Sequence, residues 1–230
     1  MPEFELFGYQ LSTYWSLFAL SIVLALGLSV YRSRRYPFSA GKAVVITALF
    51  VLYGYAGAKL LYMIETPRAS LSLTGGMSFF GCVFFIPVAM FLTALVLRIS
   101  YGGAMDFITP YVPLILAFLR VGCYFTGCCG GRPITAFGAT FTPPVQLMEC
   151  GLDVLICVLL FLLERNGRLA GLRYAVFMVG YAVVRLLMEP LRDTPKDLLS
   201  LSRGQWLSIL SLLIGGGLLL AGRRRTTGQK

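Results

Sequence analysis

Tyr181, Arg185, Glu189 and Arg192 recur at helical spacing in YAVVRLLMEPLRD, residues 181–193. That spacing puts all of them on one helix face. Arg185 and Glu189, at i and i+4, can offset each other's charge. In an apolar helix an arginine costs about 2.5–3.5 kcal/mol to insert. One reading is a structural ion pair that holds helices together. The other is phosphate recognition, because a guanidinium fork matches two phosphate oxygens at once.

A second cluster is LRVGCYFTGCCGGRP, residues 119–133. Its glycine-rich stretch, 122–131, predicts irregular backbone, since each glycine costs about 1 kcal/mol in a helix. Such backbone survives at membrane depth only inside protein or along a polar cavity. Glycine also lets backbone N–H groups approach an anion closely. Arg120 and Arg132 flank the stretch; the plainer reading is a connecting loop. A third cluster, PPVQLMECGLD over 143–153, places Gln146, Glu149 and Asp153 in the first turns of a helix. The helix dipole alone would account for Asp153. Gln146 and Glu149 share a face and can point inward.

Cys123, Cys128 and Cys129 are candidate reactive thiols, and a Cys123–Cys128 or Cys123–Cys129 bridge is open to them. Cys82 and Cys157 read as small apolar core residues, and Cys150 is ambiguous. The chain has no histidine and no CxxC pair, so neither a metal centre nor a cofactor is expected. Ser-His-Asp chemistry is excluded on the same ground. Any enzyme built here works with Arg, Glu, Tyr, Cys or backbone groups.

The elements that must position these residues are membrane helices. Of 230 residues 57% are hydrophobic and 13% charged, against about 25% charged in a soluble domain. Apolar runs of the length a bilayer requires fall near 12–31, 43–64, 76–97, 104–122, 145–163, 171–190 and 204–222. Pro110 and Pro113 interrupt the fourth. The N-terminal MPEFELFGYQ is acidic and lacks a signal-peptide start, so the first helix is expected to stay as an anchor. The fold expected is an all-α integral membrane bundle of about seven transmembrane helices, forming a single transmembrane domain over 1–230.

The net charge of +10 is assigned to loop bias, not to nucleic-acid binding. Arg32, Arg34, Arg35 and Lys42 follow the first span, and Arg98 ends the third. Arg165, Arg168 and Arg173 follow the fifth, and Arg223, Arg224, Arg225 and Lys230 form the tail. With seven spans these groups share one side, which should be cytoplasmic. The N-terminus is then outside and the C-terminus cytoplasmic. Arg120, the 121–144 loop, Glu189, Arg192 and the 191–203 loop fall on the outer side.

At these clusters the chain resembles the bacterial prolipoprotein diacylglyceryl transferases. GYAGAKLLY (54–62) is similar to the family's GAR-hydrophobic-GY segment, with Lys59 at the arginine position. GGMSFFG (75–81) is similar to its GGMSFHG segment. RVGCYFTGCCGGRP (120–133) follows its RIGNF-x-NGE-x-x-GRP loop without a gap, and PPVQLMEC (143–150) follows HPSQLYE. YAVVRLLMEPLRD and LSRGQWLSI (181–193, 201–209) follow its YGxxRFxxExxR and SMGQxLSI pair.

The resemblance implies a transferase of the bacterial plasma membrane, with its active side outward. Its partners would be phosphatidylglycerol and a prolipoprotein. A diacylglyceryl group passes from the lipid to the lipobox cysteine as a thioether, releasing glycerol phosphate. Residue by residue, it implies catalytic roles for Arg120, Arg185, Glu149 and Tyr181. Gly122, Gly127, Gly131, Arg132, Gln146, Glu189, Arg192 and Lys59 would bind substrate.

The chain is a divergent member of that pattern. Phe80 and Pro143 stand where the family has histidine, Cys123 and Thr126 where its loop has asparagine, and Cys128 where the loop has glutamate. The tyrosine near the start of the first span falls at Trp15. A phenylalanine cannot move a proton, so Glu149, Tyr181 or a Cys123 thiolate would have to replace a histidine base. A non-catalytic paralogue that binds anionic lipid head groups or a membrane partner is the alternative. A redox role for the thiols and a transporter are further ones, the latter without the internal repeat transporters commonly show.

Overall fold

The computed structural model describes residues 3–6, 9–66, 76–136, 139–196 and 198–227, with backbone alone for 3–6, 9–11, 136, 198 and 223–227. Gly75 of the 75–81 segment and Lys230 of the tail lie outside the described residues. The chain is mostly helical: α1 (Thr13–Arg32), α2 (Ala40–Glu65), α3 (Phe79–Leu97), α4 (Tyr101–Ile108), α5 (Tyr111–Thr126), α6 (Val145–Arg165), α7 (Arg173–Met188) and α8 (Arg203–Thr227). Short antiparallel pairs, β1 (Glu3–Leu6) with β2 (Tyr9–Ser12) and β3 (Ile134–Ala136) with β4 (Ala139–Phe141), are the sheets among the described residues. Seven helical segments there are long and apolar enough to cross a membrane.

The fourth of them, Tyr101–Thr126, is α4 and α5 in succession. Pro110 supplies no N–H for an α-helical bond. The chain breaks at Thr109–Pro110 and α5 restarts at Tyr111, with Pro113 in its first turn, where a missing N–H is harmless.

Two compact units divide the chain. One comprises Ala25–Ile108; the other comprises Met1–Leu24 with Thr109–Lys230. In the first unit α2 and α3 touch through glycines. A Cβ at Gly57 would lie 2.5 Å from Phe85 Cβ and 2.6 Å from the Gly81 carbonyl oxygen, and one at Gly81 would collide with the Gly57 carbonyl. Small residues at such a contact let two backbones approach closely within a bilayer. Gly81→Ala should therefore cost about 1–3 kcal/mol by overpacking. Thermal unfolding of the purified protein in detergent measures it, and an unchanged midpoint would refute the close approach.

The same unit shows that part of the positive charge is structural. Arg32 is 3% exposed; its Nη1 donates to the Phe107 carbonyl at 2.8 Å and its guanidinium lies 5.1 Å from the Phe107 ring centroid. In the second unit α5 packs on α6, α6 on α7 and α7 on α8. These contacts carry the site.

Candidate active site

The glycine-rich stretch begins as helix, which corrects the expectation of irregular backbone from Gly122. α5 runs through Gly122 to Thr126. Gly122 is tolerated there because Tyr14 occupies the space of its side chain: a Cβ would lie 2.9 Å from Tyr14 Cδ2. The break comes at Gly127, whose φ of 69° is left-handed, a conformation glycine adopts without penalty. The Gly127 N–H donates to the Tyr124 carbonyl at 3.2 Å and the Cys128 N–H to the Cys123 carbonyl at 3.1 Å. This is a Schellman cap, which brings the sixth residue back against the first.

Here those two residues are Cys123 and Cys128. Cys129, itself left-handed at φ 57°, turns back to join them. The three sulfur atoms lie within 4.8 Å of one another, and all three thiols are free. No CxxC spacing announced this cluster; the cap creates it. Hydrogen bonding with the Cys123 and Cys128 thiols, and then the positive charge of Arg192 and Arg120, hold the Cys129 thiol well below the usual cysteine range.

The loop then crosses its neighbours. Gln146 Nε2 donates to the Cys128 carbonyl at 2.8 Å, so its buried side chain holds the loop backbone. The Arg132 N–H donates to the Leu191 carbonyl at 2.9 Å, beside a Gly131–Arg192 bridge. A Cβ at Gly131 would lie 2.6 Å from the Pro143 carbonyl oxygen, which explains the glycine.

Glu149 is the centre of the site. It is 1% exposed and faces guanidinium groups from three directions. Arg120 Nε of α5 lies 3.0 Å from Oε2 as an ion pair. Arg185 Nη1 of α7 donates to Oε1 at 3.2 Å. Arg192 Nη1, past the end of α7, reaches both oxygens at 2.9 Å. Arg185 Nη2 also meets Glu189 Oε2 at 3.1 Å, the expected i,i+4 pair. Glu189 Oε1 accepts from Thr194 Oγ1 at 2.8 Å and from the Ser202 hydroxyl. Asp153, one turn beyond Glu149, is 1% exposed, and neither of its oxygens has a hydrogen-bond partner among the described residues. Tyr181, 2% exposed, stacks on Phe177 at 6.0 Å and lies within electrostatic reach of Arg120.

Gly204 opens α8 directly against Arg185. A Cβ there would lie 3.0 Å from Nη2 and 3.2 Å from Nε. Glycine thus leaves room for a guanidinium already held by two carboxylates. Gly204→Val should push Arg185 off both partners while sparing the helices. A displacement on the order of 1 Å can cost about 100-fold in rate. Turnover of the purified variant checks this, and a rate within twofold of the parent would discount the seat.

Next to the ion pairs is a cavity of about 210 Å³. Arg132, Arg192 and Lys196 line it together with Glu189, Asp193, Ser202 and Gln205. Arg132 therefore stands at this cavity and not on Glu149. The fold thus brings together Arg120, Arg185, Arg192, Glu149, Glu189 and Gln146, with the glycines and thiols of the loop beside them. Lys59 belongs to the other unit, where its Nζ donates to the Gly76 carbonyl at 3.3 Å. Phe80 is there too, 4% exposed and stacked on Phe84.

Ser202, Thr194, Gly204 and Tyr14 escaped the sequence reading as individual residues. The LSRGQ segment was itself a signal for Ser202 and Gly204. Tyr14, adjacent to Trp15, is the aromatic residue seated on Gly122.

Seven apolar segments and a buried arginine–carboxylate centre define a multi-pass membrane protein with its polar site built among helices. The chain belongs to the prolipoprotein diacylglyceryl transferase family, whose model matches residues 3–221. The phosphatidylglycerol–prolipoprotein diacylglyceryl transferase of Clostridium tetani is 26% identical over 232 residues, covering 92% of this chain and 93% of that protein. The Nitrosomonas europaea protein of the same name is 31% identical over 233 residues, covering 90% and 84%. The Bordetella parapertussis one is 38% identical over 161 residues, covering 64% and 61%. This chain is accordingly a transferase of that family.

Proposed function

We propose that the chain transfers diacylglyceryl from phosphatidylglycerol to the lipobox cysteine of a prolipoprotein, forming a thioether and releasing glycerol phosphate. The observation that carries this reading is the gathering of Arg120, Arg185 and Arg192 on one buried carboxylate, beside a cavity of head-group size that Arg132, Arg192 and Lys196 help to line. The acceptor sulfur attacks the glyceryl carbon; the C–O bond to phosphate breaks and its electron pair leaves on the phosphate oxygen. Negative charge grows there, and guanidinium groups aimed at it stabilise the transition state. Three such groups pair with two carboxylates, Glu149 and Glu189.

Glu149 serves in this reading as the anchor that holds the arginines, since both its oxygens already accept from them. Tyr181 lies near Arg120 as a proton-carrying group within reach of the centre. Arg132, Arg192 and Lys196 receive the glycerol phosphate end of the lipid. The loop charges orient the N-terminus and the site outward from a bacterial plasma membrane. The test is purified protein with phosphatidylglycerol vesicles and a lipobox-cysteine peptide. Diacylglyceryl mass on the peptide and free glycerol phosphate are expected in equal amounts; neither appearing refutes the reaction.

One observation favours a second reading. Phe80, set against a histidine by the resemblance, sits in an apolar stack on Phe84. A protein that binds phosphatidylglycerol through the same arginines without turning it over would retain vesicle affinity and give no product.

A further inference from the structure

The arginine chemistry leaves the three thiols at the end of α5 without a task. We propose that Cys123, Cys128 and Cys129 hold a thiophilic d10 cation of the zinc class, whose fourth position takes the acceptor cysteine of the peptide substrate.

Geometry is the first support. Zinc bound to thiolates at about 2.3 Å has sulfur–sulfur edges of about 3.8 Å. The three sulfurs here lie within 4.8 Å of each other, so small side-chain rotations close the triangle. The backbone is already set by the cap at Gly127, the left-handed Cys129 and the hold of Gln146 on the Cys128 carbonyl. A disulfide would use two of the three sulfurs and leave the third idle. A metal uses all three.

The surroundings suit the ligands. Thr126 Oγ1, which donates to the Gly122 carbonyl at 3.0 Å, also lies 3.3 Å from Cys128 Sγ and can turn its proton to that sulfur, the kind of outer contact that orients a metal-bound ligand. Three protein ligands and one open position are the pattern of catalytic zinc, and a thiol that coordinates such an ion loses its proton.

This rests on the transferase reading and supplies the thiol activation that a chain without histidine lacks. The acceptor S–H binds the fourth position and releases its proton to water. The resulting sulfur lone pair forms the C–S bond as the C–O bond to phosphate breaks. No oxidant or reductant enters.

The test uses the full chain in detergent, reduced and stripped with chelator. It is titrated with Zn(II) against a chromophoric chelator and with Co(II) as a spectroscopic substitute. One ion per chain is expected, with sulfur-to-cobalt charge-transfer bands that strengthen on adding a lipobox-cysteine peptide and ignore its serine counterpart. Cys123→Ser and the triple serine variant should each weaken binding by about 100-fold or more. Cys150→Ser, outside the cluster, should bind as the parent does, and circular dichroism and sizing establish that each variant is folded.

Binding that survives the triple substitution overturns the proposal. So does a Cys123–Cys128 or Cys123–Cys129 disulfide in protein extracted with thiols blocked, a site that accepts only copper(I), or a cobalt spectrum indifferent to the peptide. Lipid transfer by fully metal-free protein counts against the metal alone. Peptide-responsive metal binding without transfer supports the site and counts against the transferase reading.

Discussion

Replacing Glu149 with alanine is expected to cost about 3–5 kcal/mol of stability and to abolish transfer. The magnitude is that of breaking a buried ion pair by removing one partner. Here the loss is concentrated, because one carboxylate faces Arg120, Arg185 and Arg192 at 2.9–3.2 Å. Without it three guanidinium groups lie close together, and Glu189 alone remains to balance Arg185. Glu149→Gln keeps the shape and one acceptor oxygen but loses the charge, so its cost should fall between alanine and the parent. Thermal unfolding in detergent and lipidation of a cysteine peptide read the two consequences separately. An alanine variant as stable and active as the parent would remove Glu149 from the centre of the site.

Arg120→Ala should behave differently. The helices should form as before, because Glu149 keeps Arg185 and Arg192 as partners. What disappears is one cation aimed at the departing phosphate. Loss of one such donor costs about 100- to 1,000-fold in turnover in other enzymes. The fall should appear in kcat more than in KM, since the charge on the leaving oxygen exists in full only as the bond breaks. Arg120→Lys should recover part of the rate: it restores a point charge without the planar fork. A tenfold rise in KM with kcat unchanged would make Arg120 a binding residue only.

The departures from the family loop take on physical meaning in this light. The resemblance sets Cys123 and Cys128 against an asparagine and a glutamate of the family pattern. In this chain those positions meet through a helix cap and not through charge or amide pairing. The loop retains Gly127 and Gly131, the two glycines whose backbone demands are plainest: a left-handed φ of 69°, and 2.6 Å from a hypothetical Cβ to the Pro143 carbonyl.

Much of this was legible in the order of residues alone. Hydropathy marks membrane helices because the bilayer requires about 20 apolar residues per crossing. Helical period placed Arg185 and Glu189 together, and Gln146 with Glu149, because neighbours at i+3 and i+4 share a face wherever the helix sits. Partners drawn from different helices were not legible. That Glu149 collects three arginines, that Gly204 seats one of them and that Ser202 supports Glu189 depend on the register between helices. That register is set by side-chain packing summed over whole helix faces, which no local spacing encodes. The meeting of three thiols is an intermediate case. The glycine that permits the cap is visible in the sequence, but only the folded chain decides that the helix persists to Thr126 and turns there.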